Sequence, residues 1–353
     1  MIYWGIMFFL SMASLTSQYK TAVSKLTFYM FMFFLFLFVA FRYQISLDWW
    51  NYLVIFSNHL YLDFDQVMAR DEPLFGLINW AGGRLGFTDT LFTYIVCAII
   101  VFFFLTKFLL RSRAYWYGLL IYFPVHILVV SMGYVRQSVA IAILLYAFLK
   151  LLDKKNLQFL FWVFVAFLFH RSAIIMLFFF PLQYLNVSKV MAYLYQAASI
   201  LVITGILFLS VQSENSVYTS GEMTSTGTYL RLVLHVVPLY YYLKYRDSFF
   251  KVNYLDFYKV LDFYFVLICT CFLLSIGFST LADRFNLYMI FFDLFVLLTL
   301  YFHLSKNRRN NMVLLTILLN VLAFSLWKIF GFGAHKSYEY QNYIINYLGN
   351  SLF

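Results

Sequence analysis

Hydrophobic positions run almost unbroken along this chain, and polar positions gather in short clusters between them. The apolar runs fall near residues 1–16, 26–41, 89–110, 115–133, 135–152, 157–170, 172–185, 190–211, 229–243, 257–278, 285–303 and 311–330. Many approach the roughly 17–25 residues that a helix needs to cross a bilayer. The pattern therefore predicts an all-α, polytopic transmembrane protein with about twelve spans in one integral membrane domain, 1–353. A transmembrane β-barrel is excluded, because strands of about ten residues with strict alternation are absent.

One stretch has two readings. Residues 157–185 form either a single long helix or two short segments meeting at His170-Arg171-Ser172. A single span would invert every later loop and carry two basic loops outward, against the tendency of Lys and Arg to stay in the cytoplasm. The expectation is therefore two segments, with His170 and Arg171 at the outer tip.

Composition agrees with the pattern. The chain is 64% hydrophobic and 11% charged, against about 45–50% apolar and about 25% charged in ordinary soluble domains. A net charge of +10 would point to nucleic acid in a soluble protein. In a membrane protein it reads instead as cytoplasmic loops rich in Lys and Arg, so no nucleic-acid partner is expected. Cys97, Cys269 and Cys271 all lie in apolar runs and form neither a disulfide framework nor a metal-ligand spacing. The N-terminus lacks a basic leader, so Ile2 to Leu15 is expected to be a retained helix.

Sorting the basic residues by side separates Lys from Arg. The expected cytoplasmic loops, from Lys20 to Arg309, hold eleven Lys and five Arg. The opposite side holds Arg42, Arg70, Arg84, Arg136, Arg171, Arg231 and Arg284 with only Lys328 and Lys336. Topology explains the inner Lys but not the outer Arg. A guanidinium is permanently charged and grips phosphate bidentately, so the outer set points to a phosphate or pyrophosphate. Headgroup anchoring by snorkelling side chains is the alternative.

Several outer clusters carry this chemistry. Gly133 to Ser138 opens a helix, where free N–H groups and the dipole favour an anion; Arg136 and Gln137 add donors there. His170, Arg171 and Ser172 separate two short apolar runs, and ionisable groups at membrane depth mark functional sites by default. Imidazole is also the side chain that exchanges a proton near neutral pH. Arg231 follows a polar loop, 212–229, and Arg284 follows Asp283. Glu72-Pro73 reads as a helix start with proline at the first position, opening an interfacial helix within the outer segment 42–88. The C-terminal segment 331–353 places Tyr340, Ile344, Tyr347 and Leu348 on one helical face. Acidic side chains do not cluster as at a divalent-cation site, so neither a metal nor another cofactor is expected.

Taken in order, Arg42 … Asp48 … Tyr52, Glu72-Pro73-Leu74-Phe75 … Asn79, Arg136-Gln137-Ser138-Val139-Ala140, Phe169-His170-Arg171-Ser172-Ala173, Tyr229-Leu230-Arg231 and Ala282-Asp283-Arg284 … Tyr288 resemble the EpsG family of Wzy-like polysaccharide polymerases. The first loop departs from the family pattern in lacking the Gly that typically precedes the Asp. The resemblance implies a bacterial inner-membrane glycosyltransferase of GT-C-like architecture, with its active site facing the periplasm. Its substrates would be oligosaccharide repeat units on undecaprenyl pyrophosphate, joined en bloc, with membrane lipids and a chain-length regulator protein as further partners. On this basis Arg136, Gln137, Arg231 and Arg284 are expected to hold pyrophosphates, with Arg42 and Arg171 as lesser candidates. His170, Asp48 and Glu72 are the candidate general bases. A ligase moving finished polymer, a flippase of the same lipid-linked units and a non-catalytic scaffold are the rival readings. No repeat between halves favours the flippase.

Overall fold

The computed structural model of the chain describes residues 2–16, 22–183, 189–214, 227–331 and 339–345. Most of the expected polar loop 212–229 and of the C-terminal segment, with Lys20, Lys336, Tyr347 and Leu348, lies outside these residues. The described residues are helical throughout apart from turns and one isolated bridge, Arg42 to Asn342.

Helices α1 (Ile2–Thr16) and α2 (Ala22–Ala40) open the chain. Three polar-segment helices follow: α3 (Trp49–Leu60), α4 (Phe64–Met68) and α5 (Pro73–Arg84). Next come α6 (Leu91–Ser112), α7 (Tyr115–Tyr122), α8 (Val135–Leu152) and α9 (Asn156–Phe169). The remainder is α10 (Lys189–Glu214), α11 (Gly227–Val233), α12 (Val236–Tyr245), the single turn α13 (Lys251–Asn253), α14 (Tyr258–Gly277), α15 (Ser279–Asn286), α16 (Ile290–His303) and α17 (Lys306–Phe330).

Six stretches among the described residues are long and apolar enough to cross a membrane: Val23–Ala40, Leu91–Ser112, Val135–Leu152, Tyr258–Gly277, Ser279–His303 and Lys306–Phe330. Ile2–Thr16, Tyr115–Ser131, Asn156–Phe169 and Tyr193–Gly205 are apolar but shorter. The chain is therefore a multi-pass membrane protein. Six qualifying spans are fewer than the twelve runs of the sequence because several runs are broken. Prolines explain three of these breaks, since each removes a backbone donor and its ring meets the carbonyl four residues earlier. Pro124 opens a wide-turn stretch, Phe123–Ser131, beyond α7. Pro181 follows the end of a tight 3₁₀ stretch, Arg171–Phe179. Pro238 parts α11 from α12 at Leu234-His235, where the amides of both residues bond three positions back.

The chain divides into two compact units. The first comprises residues 1–149, 157–173 and 328–353. In it α1 packs on α7, α2 on α6, and α3 and α4 on α5. Phe9, Phe28 and Phe31 surround Trp116 with ring centroids 5.2–5.6 Å away. The C-terminal segment is tied down here: Tyr340 stacks on Phe38 at 4.1 Å, and the Tyr343 hydroxyl donates to Asp89 Oδ2 at 2.9 Å. The second unit comprises residues 150–156 and 174–327. Here α15 packs on α14 and α11, and α12 on α16. Arg246 grips Asp262 with a two-pronged contact, Nε to Oδ1 and Nη2 to Oδ2, each 2.6 Å.

Candidate functional site

In the first unit, three of the sequence-predicted residues converge on the carboxylate of a fourth, Glu72. Glu72 caps the N-terminus of α5, with Pro73 at the first helical position as the sequence suggests. Its backbone is left-handed, at φ +59°, a conformation that costs a residue other than glycine roughly 1–3 kcal/mol and persists where its surroundings enforce it. The surroundings are evident. Glu72 Oε2 accepts from Arg136 Nη1 at 2.6 Å, and Oε1 lies 2.5 Å from His170 Nδ1. The amide of Arg171 adds a longer contact to Oε1 at 3.4 Å.

Each partner arrives from a helix end. Arg136 sits in the first turn of α8, where the dipole already favours negative charge. His170 occupies the break after α9, and Arg171 pairs with Asp71 next to Glu72. Two adjacent acids thus grip two adjacent bases. Below them Asn79 donates to Phe75 O and accepts from Thr93, which ties α5 to α6.

The electrostatics follow from this packing. Burial would raise the Glu72 carboxyl, but His170 and Arg136 outweigh it and draw its pKa down to about 2. Glu72 is therefore a fixed anion and cannot take a proton at neutral pH. A carboxylate only accepts, so His170 donates to it through Nδ1. Tyr52, from α3, bonds the Arg136 side chain, and burial raises its phenol, with Asp48 adding to the rise. The Arg136 guanidinium also lies 5.9 Å over the Phe75 ring. With 28% of its side chain exposed against 7% for Glu72, it is the more accessible member of that ion pair.

The remaining candidates sit elsewhere. Arg42 is fully buried: Nε donates to Met132 O, Nη1 donates to Val39 O, and the guanidinium lies 3.8 Å over the Tyr94 ring. These contacts enclose the guanidinium within the first unit. Asp48 precedes α3 and accepts from Asn51 at 3.3 Å. Gln137 is buried beside Arg136.

In the second unit, Arg231 on α11 bonds Asp283 on α15 at 2.5 Å. Both are buried, whereas Arg284 is half-buried. His235, Asp293, Thr228 and Ser279, none of them expected from the sequence, complete this group with Asn286. His235 Nε2 lies 2.6 Å from Asn286 Oδ1, and Nδ1 lies 2.7 Å from Asp293 Oδ2. Thr228 Oγ1 donates to Ser279 O at 3.0 Å. Thr228, Arg231 and His235 are spaced i, i+3, i+7, and Ser279, Asp283 and Asn286 i, i+4, i+7. Each set lines one helical face, a periodicity the sequence carries openly. The two faces pair in ascending order, so α11 and α15 run parallel. Among the described residues, no three or more His, Cys, Asp or Glu side chains gather as metal ligands.

No curated protein and no solved structure matches the chain. A family model does, over residues 25–345, a span that includes both the Glu72 and the Arg231 groups. The chain belongs to the EpsG family, a family of Wzy-like polysaccharide polymerase-type proteins.

Proposed function

We propose that this protein is a glycosyltransferase that polymerises oligosaccharide repeat units carried on undecaprenyl pyrophosphate. In this reading it spans the bacterial inner membrane about twelve times, has a GT-C-like architecture and works at the periplasmic face. The observation that carries the proposal is Glu72 held at once by Arg136 and His170, within a family of polymerase-type proteins.

The chemistry assigned to these groups is glycosyl transfer. A hydroxyl on the non-reducing-end sugar of the next lipid-linked unit attacks the anomeric carbon of the growing chain. The bond from that carbon to the pyrophosphate oxygen breaks, and its electron pair leaves with undecaprenyl pyrophosphate. His170 Nε2 takes the hydroxyl proton while Glu72 holds the ring by Nδ1 and stabilises the imidazolium that forms. Arg136, fixed beforehand by Glu72 and Tyr52, meets the charge growing on the leaving pyrophosphate. Glu72 and Asp48, the other candidate bases, are assigned electrostatic parts: Glu72 orients His170, and Asp48 acts on Tyr52. Arg171 and Gln137 are secondary contacts to the same anion. Arg231 and Arg284 are proposed as the anion ligands of the second unit, since each reaction involves two pyrophosphate-linked substrates.

The test is the surface-glycan size profile and the lipid-linked pool of a strain lacking the gene. Polymerase function predicts collapse of the glycan ladder to one repeat unit, with units still reaching the periplasm. Finished polymer held on undecaprenyl pyrophosphate would make the protein a ligase. Single units trapped on the cytoplasmic leaflet would make it a flippase.

A further inference from the structure

The two units each contain a histidine against a carboxylate, yet the two rings are built for different work. His170 uses Nδ1 on Glu72. His235 has both ring nitrogens opposed by oxygens, Asn286 Oδ1 at 2.6 Å and Asp293 Oδ2 at 2.7 Å. An amide oxygen and a carboxylate oxygen thus hold the ring from both sides, one at each nitrogen. Its side chain is 5% exposed, as is that of Asp293. An isolated carboxyl group in an apolar helix is costly, so the pairing of Asp293 with His235 has a structural reason to persist.

The placement of His235 gives the pair a further consequence. It stands at the break between α11 and α12, which Pro238 imposes. Its partner Asn286 ends α15, at the tight turn Leu287–Met289 that separates α15 from α16, and Asp293 lies in the first turn of α16. His235 therefore joins the breaks of two parallel broken helices. At both breaks the regular i to i−4 ladder gives way to a tighter three-residue turn, so side-chain contacts help set the angle across each. One turn before these breaks lie Arg231 and Asp283, bonded at 2.5 Å. Thr228 and Ser279 close the same seam a further turn back.

We infer that His235, clamped between Asn286 and Asp293, is a positioning residue that fixes the α11 and α15 breaks and so aims Arg231 at a pyrophosphate-bearing lipid. This rests on the reading of Arg231 as an anion ligand. His235 itself does not touch the substrate. The brace acts by setting the direction of the guanidinium, and a displacement of about 1 Å at such a group can cost about a hundredfold in function.

The test is binding of undecaprenyl pyrophosphate to the full-length protein in nanodiscs, in an Arg136→Ala background that removes the first unit's arginine. Melting temperature is recorded alongside. Asn286→Leu removes one acceptor at nearly constant volume. The expected result is an unchanged melting temperature with Kd raised about tenfold. Asn286→Asp keeps the acceptor and should bind close to the parent. Asn286→Leu with parental Kd overturns the brace, and so does Asn286→Asp binding as poorly as Asn286→Leu. Where Asn286→Leu fails to fold, Asn286→Ser, a milder loss of reach, is read by the same criteria. Arg231→Ala separates the two readings. If it leaves Kd unchanged, the assignment of Arg231 fails and the brace falls with it. If it weakens binding while the folded Asn286 variants do not, the brace alone is wrong.

Discussion

Glu72 Oε1 and His170 Nδ1 stand 2.5 Å apart although 98 positions separate them in the chain. The contact makes Glu72 an anion that the fold depends on. Its carboxyl is depressed from 4.5 to about 2, a difference of about 3 kcal/mol between its protonation states. For a depressed carboxyl the sign is fixed. The contribution is complete above about pH 4.5 and is lost as the pH falls towards 2. Thermal melts in nanodiscs should show wild type losing stability across that window. Glu72→Gln should melt lower at neutral pH and lack this acid-dependent step.

Arg136→Lys preserves charge and removes the planar fork that reaches Glu72 and Tyr52 together. An ammonium is a compact point charge and cannot replace that geometry. Complementation of a deletion strain should give a ladder shortened to a few repeats, with in vitro turnover down by about tenfold to a hundredfold. Wild-type turnover in Arg136→Lys would end the bidentate assignment.

His170→Asn separates orientation from proton transfer. The Asn amide can still donate towards Glu72 where Nδ1 does, so the protein should accumulate and melt normally. It has no group in place of Nε2, and kcat should fall by about 10²–10⁴-fold with little change in KM. Equal losses in kcat and protein level would instead assign His170 to packing.

Arg42 tests the opposite expectation. Its guanidinium serves the Met132 and Val39 carbonyls and the Tyr94 ring, all inside the first unit. Arg42→Ala would leave two buried carbonyls short of a donor, at about 1–3 kcal/mol each. Protein yield and melting temperature should drop, while KM of the surviving protein stays near wild type. A raised KM with normal stability would return Arg42 to the anion-binding set.

What the sequence carried, and what it did not, follows from local against distant information. Apolar runs and the Glu72-Pro73 start are local signals, and most of the runs coincide with helices among the described residues; the break at His170 is where two short runs meet. Charge asymmetry drew attention to Arg136, Arg171 and Arg231. It could not show that Glu72 lies between Arg136 and His170, because nothing short-range in residues 72, 136 and 170 encodes that approach. The enclosure of Arg42 was illegible for the same reason, since its contacts come from residues as far away as Met132. His235 and Asp293 went unnoticed although both interrupt apolar sequence. The Pro238 break was also legible in principle, as a proline four residues beyond Leu234.

Gly227 offers the sharpest separation of stability from function. A Cβ built there would lie 3.1 Å from Arg231 Nη2, the nitrogen bonded to Asp283 at 2.5 Å. Two effects oppose each other in Gly227→Ala. Alanine favours a helix over glycine by about 1 kcal/mol in an interior position and by less at a first turn such as this. Against that, the guanidinium must yield by a few tenths of an ångström, and its bond to Asp283 limits the direction in which it can do so. A long side chain accommodates such a shift at little energetic cost, so the melting temperature should hold or rise slightly. Anion recognition depends on direction more than on energy, so Kd for undecaprenyl pyrophosphate should rise severalfold, by about 1 kcal/mol. Measured in the Arg136→Ala background, a stable protein with weakened binding would place the function of this seam in the aim of Arg231. Unchanged binding would mean that the guanidinium serves only to neutralise Asp283.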